Sequence, residues 1–425
     1  MKKYFLKLIC LLSVICVYAN GQSLHNYSFK LEGLYGSIIK HNNHMDNLVK
    51  GSTSGFGLSV EWQTDGSAMW HQYFNFPTIG ISGTYLNLGN PQMLGKLFAV
   101  YPYLNLPLVR SEGIQVNVKP GAGISFITKY YGNTPHIKGT LDTEVTDNQG
   151  IVKTVSYGAN SAIGSMLNVF LNLGVNAEYA FSEDFTLSLG VAWQHASNGS
   201  IIKPNSGLNM INAYVGFAYI PNSEMIRVVQ RGLIDDIERR ISLETTIAGG
   251  IRQLDWRDGK FYPAASLNVA AYYPLSNIYK MGIGADLFFD GVYGYVNAPL
   301  KDEIKDESKY NFTFIKKNEF TNKLRAGVSW RHELMFGNFS AGLHLGVYLF
   351  NPVKNLEPYD AVFANGGNPL KKGIFYKYNI DEEDGWFFTR FVGKYYFSDN
   401  VFASIGLKTH LQKAEFIEWG LGYRF

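Results

Sequence analysis

One stretch of the sequence brings together residue types that can do chemistry, namely His195, Ser197 and Asn209. They lie in two runs, 185–197 and 207–219, in which polar and apolar residues alternate as in paired antiparallel strands. By that alternation all three side chains share the mostly apolar face, at the loop end of the hairpin. In a membrane barrel this face meets lipid, so the three groups would stand at the membrane boundary, where a lipid ester could be attacked.

The spacing by itself is a weak signal. A chain with nine His residues should contain about one His-x-Ser by chance. The alternative interpretation is that His195 is a polar residue at the level of the aromatic belt, with Ser197 and Asn209 as ordinary loop-edge residues. The strand–loop–strand context and the shared face favour the catalytic interpretation.

The N-terminus predicts an exported protein. Residues 1–21 combine three lysines, an apolar run and a small-residue cleavage site, as in a signal peptide. Both cysteines, Cys10 and Cys16, lie within it, so the mature chain has no thiol for a disulfide or a metal site. We expect no cofactor. The remainder holds 35 basic and 35 acidic residues, which gives no reason to expect nucleic acid as a partner.

The composition favours an all-β membrane protein. Aromatic residues make up 15% of the chain, charged residues 17%, and there are 44 glycines. After the signal no segment approaches the apolar length of a spanning helix. Only closed strands then satisfy the backbone in lipid, so we predict a transmembrane antiparallel β-barrel in the outer membrane of a Gram-negative bacterium.

The alternating segments fall into two sets of eight, separated by 221–240, which has helical spacing and is predicted to be a periplasmic helix or linker. Short turns at 109–112 and 182–184 are assigned to the periplasm and the long loops to the exterior. His195 and Ser197 then lie at the level of the outer leaflet. Only 64–77 fits badly, because it is long where a short turn is expected. The predicted strands are 27–40, 55–63, 78–88, 95–108, 114–129, 162–181, 185–197, 207–219, 241–252, 261–275, 278–295, 324–335, 339–350, 386–397, 401–411 and 415–425.

We predict two tandem eight-stranded barrels, over 22–220 and 241–425. The two halves end alike, since SLGVAWQH followed by VGFAY parallels SIGLKTHL followed by GLGYRF. A single 16-stranded barrel stays open as the alternative, because both halves start and end on the same side. Bulky inner residues fit a narrow barrel better. They are Met166, Phe170, Met210 and Tyr214.

The C-terminal residues alternate up to a final aromatic, which resembles the assembly signal of outer-membrane barrels and predicts their assembly machinery as a partner. These residues are Trp419, Leu421, Tyr423 and Phe425. The same alternation points Lys408, His410 and Glu418 into the barrel as a polar network. Three other histidines lack metal-ligand spacing and are assigned no role. They are His41, His44 and His71.

The hairpin resembles the PagL lipid A 3-O-deacylase family, also called acyloxyacyl hydrolases. The resemblance rests on HASNG at 195–199, PN at 204–205 and GLN at 207–209, and extends over residues 23–220. Further similar stretches are YGS at 35–37, the strand at 101–108 and AIGS at 162–165.

The resemblance implies a serine esterase in which Ser197 is the nucleophile and His195 its base. The family has an acid fourteen residues after the His, whereas this chain has Asn209. An amide can orient the imidazole but cannot stabilise imidazolium by charge, so we expect a slower enzyme. For the oxyanion we expect donors from Asn198 and from the backbone around Gly199 and Ser200.

The substrate implied is lipid A, as part of lipopolysaccharide, with its acyl chains lying against the barrel wall beside a shallow groove. The sequence leaves two other functions open. One is a non-catalytic barrel that serves as a channel or scaffold, and the other is a general phospholipase.

Overall fold

The computed structural model describes most of the chain from residue 26 onward. The described residues are 26–41, 45–46, 48–111, 113–134, 143–146, 152–155, 160–221, 232, 237, 239–253, 260–294, 320–351, 386–410 and 413–425. The predicted signal peptide at 1–21 lies outside them, as does most of the predicted linker at 221–240, and both stay predictions. Within these ranges no helix is long and apolar enough to span a membrane.

The first half forms a closed antiparallel barrel, because its first strand pairs with both the second and the last. A separate two-stranded sheet, β6 with β7, lies between β5 and β8 in the chain. The strands are β1 (Tyr27–Ile38), β2 (Thr53–Gln63), β3 (Thr78–Asn87), β4 (Lys96–Ser111), β5 (Ile114–Ile127), β6 (Thr143–Thr146), β7 (Val152–Val155), β8 (Leu167–Ala180), β9 (Phe185–Ser197) and β10 (Leu208–Tyr219).

The second half closes in the same way through pairing of β11 with β18. The two closed rings confirm the prediction of tandem barrels, and the alternative of one 16-stranded barrel is wrong. The strands are β11 (Ser242–Arg252), β12 (Tyr262–Ser276), β13 (Tyr279–Asp290), β14 (Leu324–Phe336), β15 (Phe339–Phe350), β16 (Phe387–Tyr396), β17 (Val401–His410) and β18 (Lys413–Arg424).

All sixteen predicted strands are present, with ends shifted by a few residues. The misfit at 64–77 is explained by a short helix, α1 (Met69–Tyr73), in the β2–β3 connection. Short 3-10 turns lie in the described parts of the loops, among them Tyr131–Asn133, Gly291–Gly294 and Phe320–Lys323. We call the end of each barrel that carries the long connections the loop end, and the opposite end the turn end.

Both barrel interiors are filled by ion pairs. In the first barrel Lys30 Nζ lies 2.8 Å from Glu61 Oε1 and 2.6 Å from Glu178 Oε1. In the second, Lys394 Nζ lies 2.6 Å from Glu244 Oε2 and 2.7 Å from a Glu333 carboxylate oxygen. Buried charges must be paired to be tolerated. The pairs of Lys30 with Glu178 and of Lys394 with Glu244 join strands that are distant in sequence.

Inward and outward faces follow the predicted alternation with one exception. Lys408, His410 and Glu418 are buried in the second barrel, as predicted. The prediction for Met166 is wrong, because it lies just before β8 and is 50% exposed. The other three predicted inner residues are buried, namely Phe170, Met210 and Tyr214. The C-terminal aromatic stripe faces outward, and its recruitment of assembly machinery stays a prediction.

At the loop end an apolar core closes the first barrel. Ala196 and Leu208, the inward neighbours of the candidate site residues, belong to it and are fully buried. Interiors of this kind are close-packed and resist deformation. The strand ends that carry the site are therefore backed by a rigid core. Its other members include Met45, Leu48, Leu94, Ile127 and Ile163.

Candidate functional site

The register of β9 with β10 sets His195 directly opposite Asn209. Ser197 follows His195 by two residues, so both side chains leave β9 on the same face. That face is the outer one, because the intervening Ala196 points into the barrel core. Period-two alternation along two paired strands thus brings the three predicted site residues together outside the barrel wall.

The three side chains form a continuous hydrogen-bonded arrangement. His195 Nε2 lies 3.0 Å from Ser197 Oγ, and His195 Nδ1 lies 2.8 Å from Asn209 Oδ1. Each distance is within the normal range for a hydrogen bond. One ring nitrogen of His195 therefore contacts a hydroxyl and the other an amide oxygen.

A fourth residue, His41, extends this arrangement. Its Nε2 lies 3.1 Å from the Ser206 carbonyl oxygen, and its Nδ1 lies 3.4 Å from Asn209 Nδ2. The same Nδ1 also lies 3.4 Å from the Ile39 carbonyl oxygen. The shorter contact of Nε2 with the Ser206 carbonyl favours the proton on Nε2, and in that tautomer Nδ1 accepts from the Asn209 amide. The Asn209 oxygen is then directed at His195 Nδ1–H, which leaves the His195 Nε2 lone pair for the Ser197 hydroxyl.

Sequence reasoning missed His41 because the relevant contact comes from barrel closure. β1 pairs with β10, and the Ile39 N–H donates to the Asn209 carbonyl at 2.7 Å. The two segments are about 170 residues apart, and no local pattern links them. The signal that could have found His41 is that the first and last strands of a closed eight-stranded barrel pair with each other.

The β9–β10 loop, residues 198–207, turns sharply directly after Ser197. Asn198 holds it from inside, since its side-chain amide donates to Ser165 Oγ at 2.9 Å and to the Ile202 carbonyl at 2.8 Å. Its backbone N–H donates to Asn205 Oδ1 at 3.1 Å. All three Asn198 donors are thus used within the loop and its neighbour. The next two residues, Gly199 and Ser200, have φ of +61° and +71°.

Gly207 closes the loop over the site. Its φ is +77°, and a Cβ added there would lie 2.8 Å from His195 Cε1 and 3.4 Å from Ser197 Cβ. Its N–H donates to the Ala162 carbonyl at 2.9 Å, which fixes this approach. Only glycine permits both this conformation and this proximity. Ser197 is consequently just 7% exposed although it points out of the barrel.

Below the site toward the turn end, the outer wall is apolar. The Trp193 ring stacks on the His195 ring, with centroids 5.8 Å apart and planes inclined by 18°. Ile211 and Leu173 are the register partners of Trp193 on the two adjacent strands, and both are exposed. An apolar chain lying along this wall would end beside the hydroxyl of Ser197.

The chemistry available here is proton transfer and nucleophilic attack by a hydroxyl. A hydroxyl bonded to an imidazole whose other nitrogen is held by a third group is the arrangement of nucleophilic acyl-transfer sites. In the part of the chain that the structure describes, no cluster of three His, Cys, Asp or Glu side chains could hold a metal ion.

Comparison with protein families gives a match in each half. The family model described as "Lipid A 3-O-deacylase (PagL)" matches residues 54–218. The model described as "Acyloxyacyl hydrolase, C-terminal domain" matches 241–367 and 369–425. The first half of the chain belongs to the PagL lipid A 3-O-deacylase family. This PagL-family assignment supports a hydrolase that acts as a lipid A deacylase. His195, Ser197 and Asn209 lie within the PagL match, and His41 lies before it.

Three similar solved structures each cover slightly less than half of this chain. Neisserial surface protein A (NspA) is 8% identical, with 46% of this chain and 96% of that chain covered and a TM-score of 0.29. The outer membrane enzyme PagL is 14% identical, with 44% and 97% covered and a TM-score of 0.25. The N-terminal β-barrel domain of Pseudomonas aeruginosa OprF is 15% identical, with 45% and 96% covered and a TM-score of 0.23. A search of curated proteins gave no match.

Proposed function

We propose that the first barrel is an outer-membrane serine esterase that hydrolyses an ester-linked acyl chain of lipid A. The observation that carries this proposal is the hydrogen-bonded series Ser197, His195 and Asn209 on the lipid-facing wall. The substrate class rests on membership in the PagL family.

In the proposed mechanism His195 Nε2 takes the proton from Ser197 Oγ as that oxygen attacks the ester carbonyl carbon. The tetrahedral intermediate collapses, and the imidazolium returns the proton to the departing sugar oxygen. Water, activated by the same imidazole, then attacks the acyl-enzyme. The products are a free fatty acid and a lipid A molecule with one acyl chain fewer, and Ser197 is regenerated.

Asn209 fixes the tautomer and orientation of His195 without supplying charge. A hydrogen bond from Nδ1–H to the amide oxygen keeps the Nε2 lone pair aimed at Ser197. His41 in turn keeps that amide from flipping, since it accepts from the amide nitrogen. The imidazolium formed during the reaction is stabilised less than it would be beside a carboxylate, so turnover is slower than with an acid at 209.

The oxyanion requires hydrogen-bond donors near Ser197. The donors of Asn198 are engaged in the loop, which assigns it the task of holding the loop. The oxyanion role then falls to the backbone N–H groups of Gly199 and Ser200. Both residues directly follow the nucleophile in the chain and are buried with it.

The barrel interiors favour an enzyme over a channel. Ion pairs fill the lumen of each barrel, and an apolar core covers the loop end of the first. Such filled interiors differ from the water-filled lumen of a porin, whereas the outer wall presents a reactive pair to lipid. This wall accepts an acyl chain directly from the bilayer and needs no deep pocket.

The proposal is tested by expressing wild-type protein and Ser197→Ala in an outer membrane and comparing lipid A masses. We expect the wild type to remove one acyl chain and Ser197→Ala to leave lipid A intact. Ser182→Ala, the same change in an exposed turn at the opposite end, serves as the control and should behave as the wild type. Identical lipid A from wild type and Ser197→Ala would contradict the proposal. Fatty acid released from phosphatidylethanolamine, with lipid A untouched, would indicate a phospholipase.

A further inference from the structure

The β9–β10 loop of the first barrel is bound by the second barrel. The Ser200 hydroxyl donates to the Ala414 carbonyl at 2.6 Å, and the Gln253 N–H donates to the Ser200 carbonyl at 3.0 Å. The Lys203 N–H donates to Gln253 Oε1 at 2.9 Å. Three hydrogen bonds thus join the segment directly after the nucleophile to the loop ends of β11 and β18.

An apolar contact lies beside these hydrogen bonds. Ile417 is on the outward face of β18, where its neighbour Trp419 is 52% exposed, yet Ile417 is only 4% exposed. Gly199 covers it, and a Cβ added to Gly199 would lie 2.5 Å from Ile417 Cδ1 and Cγ1. The second barrel therefore fits against the loop closely enough to require glycine at 199.

The loop conformation needs this external support. Ser200 has φ of +71°, which a residue with a side chain adopts at a cost unless other contacts hold it. Lys203 Nζ of the same loop donates to the Ser200 hydroxyl at 3.1 Å, and the second barrel adds one contact at that hydroxyl and one at the Ser200 carbonyl. Without them the two residues that carry the proposed oxyanion donors would relax to commoner conformations.

A second attachment at the opposite end fixes how the barrels face each other. The Phe74 ring, just after α1, stacks on Phe336 with centroids 4.7 Å apart. Asn277 Nδ2 donates to Tyr73 Oη at 3.0 Å. The helix that interrupts the β2–β3 connection is therefore part of the contact between barrels. With attachments at both ends, the second barrel is held against the β9–β10 loop in one orientation.

We propose that the second barrel is a positioning element for catalysis, and that Gln253 and Ile417 hold Gly199 and Ser200 in the oxyanion-binding conformation. This inference rests on the proposed function for the part that concerns turnover. It assigns to the second half of the chain a role in the reaction of the first, although none of the residues described there touches the reacting atoms.

The test uses the full-length double variant Gln253→Ala/Ile417→Ala, reconstituted in vesicles that contain lipopolysaccharide. Fatty acid release should show kcat lowered about tenfold with KM within about twofold, because oxyanion stabilisation and not substrate binding is lost. Hydrogen exchange at residues 199–203 should accelerate about tenfold or more, with the β9 and β10 amides unchanged. Ile247→Ala, on the outer face of β11 and 67% exposed, is the matched control and should change neither.

A compensation experiment sharpens the result. Gly199→Ala should lose activity through its clash with Ile417, and adding Ile417→Ala should recover part of it, whereas independent effects would add. Unchanged exchange in the loop of the Gln253→Ala/Ile417→Ala variant overturns the inference, and so does faster exchange with unchanged kcat. If wild type and Ser197→Ala release fatty acid equally, the proposed function fails, and the exchange result alone still decides whether the second barrel holds the loop.

Discussion

The two barrels carry similar last hairpins that differ in which way one histidine points. In β9–β10, His195 faces outward, beside a ten-residue loop that closes over it. In β17–β18, His410 faces inward and is 1% exposed, and only residues 411–412 separate the strands. The same fold thus turns an imidazole to the outer wall in one barrel and into the lumen in the other. Strand parity and loop length, and not the presence of a histidine, separate the hairpin that we propose to be reactive from the one that we propose to support it.

Replacing the two histidines tests this comparison with the largest expected effect. His195→Ala should lower the rate of lipid A deacylation by about 10³-fold or more, since the hydroxyl loses its base. His410→Gln should leave the rate within about twofold. Both rates are measured as fatty acid release by purified protein in lipopolysaccharide-containing vesicles. Equal losses from the two substitutions would show that parity does not distinguish the hairpins.

Changing Asn209 should alter the rate in opposite directions according to the replacement. Asn209→Glu supplies a carboxylate beside the imidazole and should raise kcat by roughly tenfold, because the imidazolium gains an opposite charge. Asn209→Ala removes the orienting bond and should lower kcat by roughly tenfold to a hundredfold. A lower rate with Glu than with Asn would mean that residue 209 does not orient the base during turnover.

Gly207→Ala should lower the deacylation rate by about tenfold, because the added methyl group displaces the His195 ring from Ser197. Gly113→Ala is its matched control, since Gly113 has a similar φ of +74° but the nearest atom to an added Cβ is 3.7 Å away. Backbone strain is comparable in the two variants, and only the contact with the site differs. A similar loss of activity in both would assign the effect to strain.

His41→Ala should have the smallest effect, a loss of about threefold to tenfold in kcat. One hydrogen bond that orients the Asn209 amide is removed, and a single such bond contributes about 0.5–1.5 kcal/mol. The Asn209→Glu background provides the check, because a carboxylate has no amide to orient. His41→Ala should therefore cost less activity in that background. An equal cost in both backgrounds would show that His41 does not act by orienting the Asn209 amide.

Much of this architecture is encoded locally and was predictable. Period-two alternation fixed the sixteen strands and the outward direction of His195 and Ser197, since each depends only on neighbouring residues. The strands at Phe185–Ser197 and Phe339–Phe350 were predicted to the residue. Short turns and long loops likewise assigned the site to the loop end.

The remainder depends on contacts between distant segments. The pairing of the first strand with the last strand of each half decides between two barrels and one. In the first half this pairing also brings His41 to Asn209. The ion pair of Lys30 with Glu178 spans 148 positions, so the charged lumen of the first barrel was not expected from its bulky inner residues, although a polar network was predicted in the second. The hydrogen bond from the Ser200 hydroxyl to the Ala414 carbonyl of the second barrel joins residues 214 positions apart, and no local sequence pattern predicts it.

The central claim is that Ser197 is a nucleophile reached from the lipid phase, and covalent labelling tests it most directly. Protein in bilayers is treated with a long-chain alkyl fluorophosphonate, digested, and the modified residue is located by mass spectrometry. We expect labelling at Ser197 that is lost in Ser197→Ala and strongly slowed in His195→Ala, with Ser182 unlabelled. Labelling at another residue, or none at Ser197 in protein that still deacylates lipid A, would contradict the account.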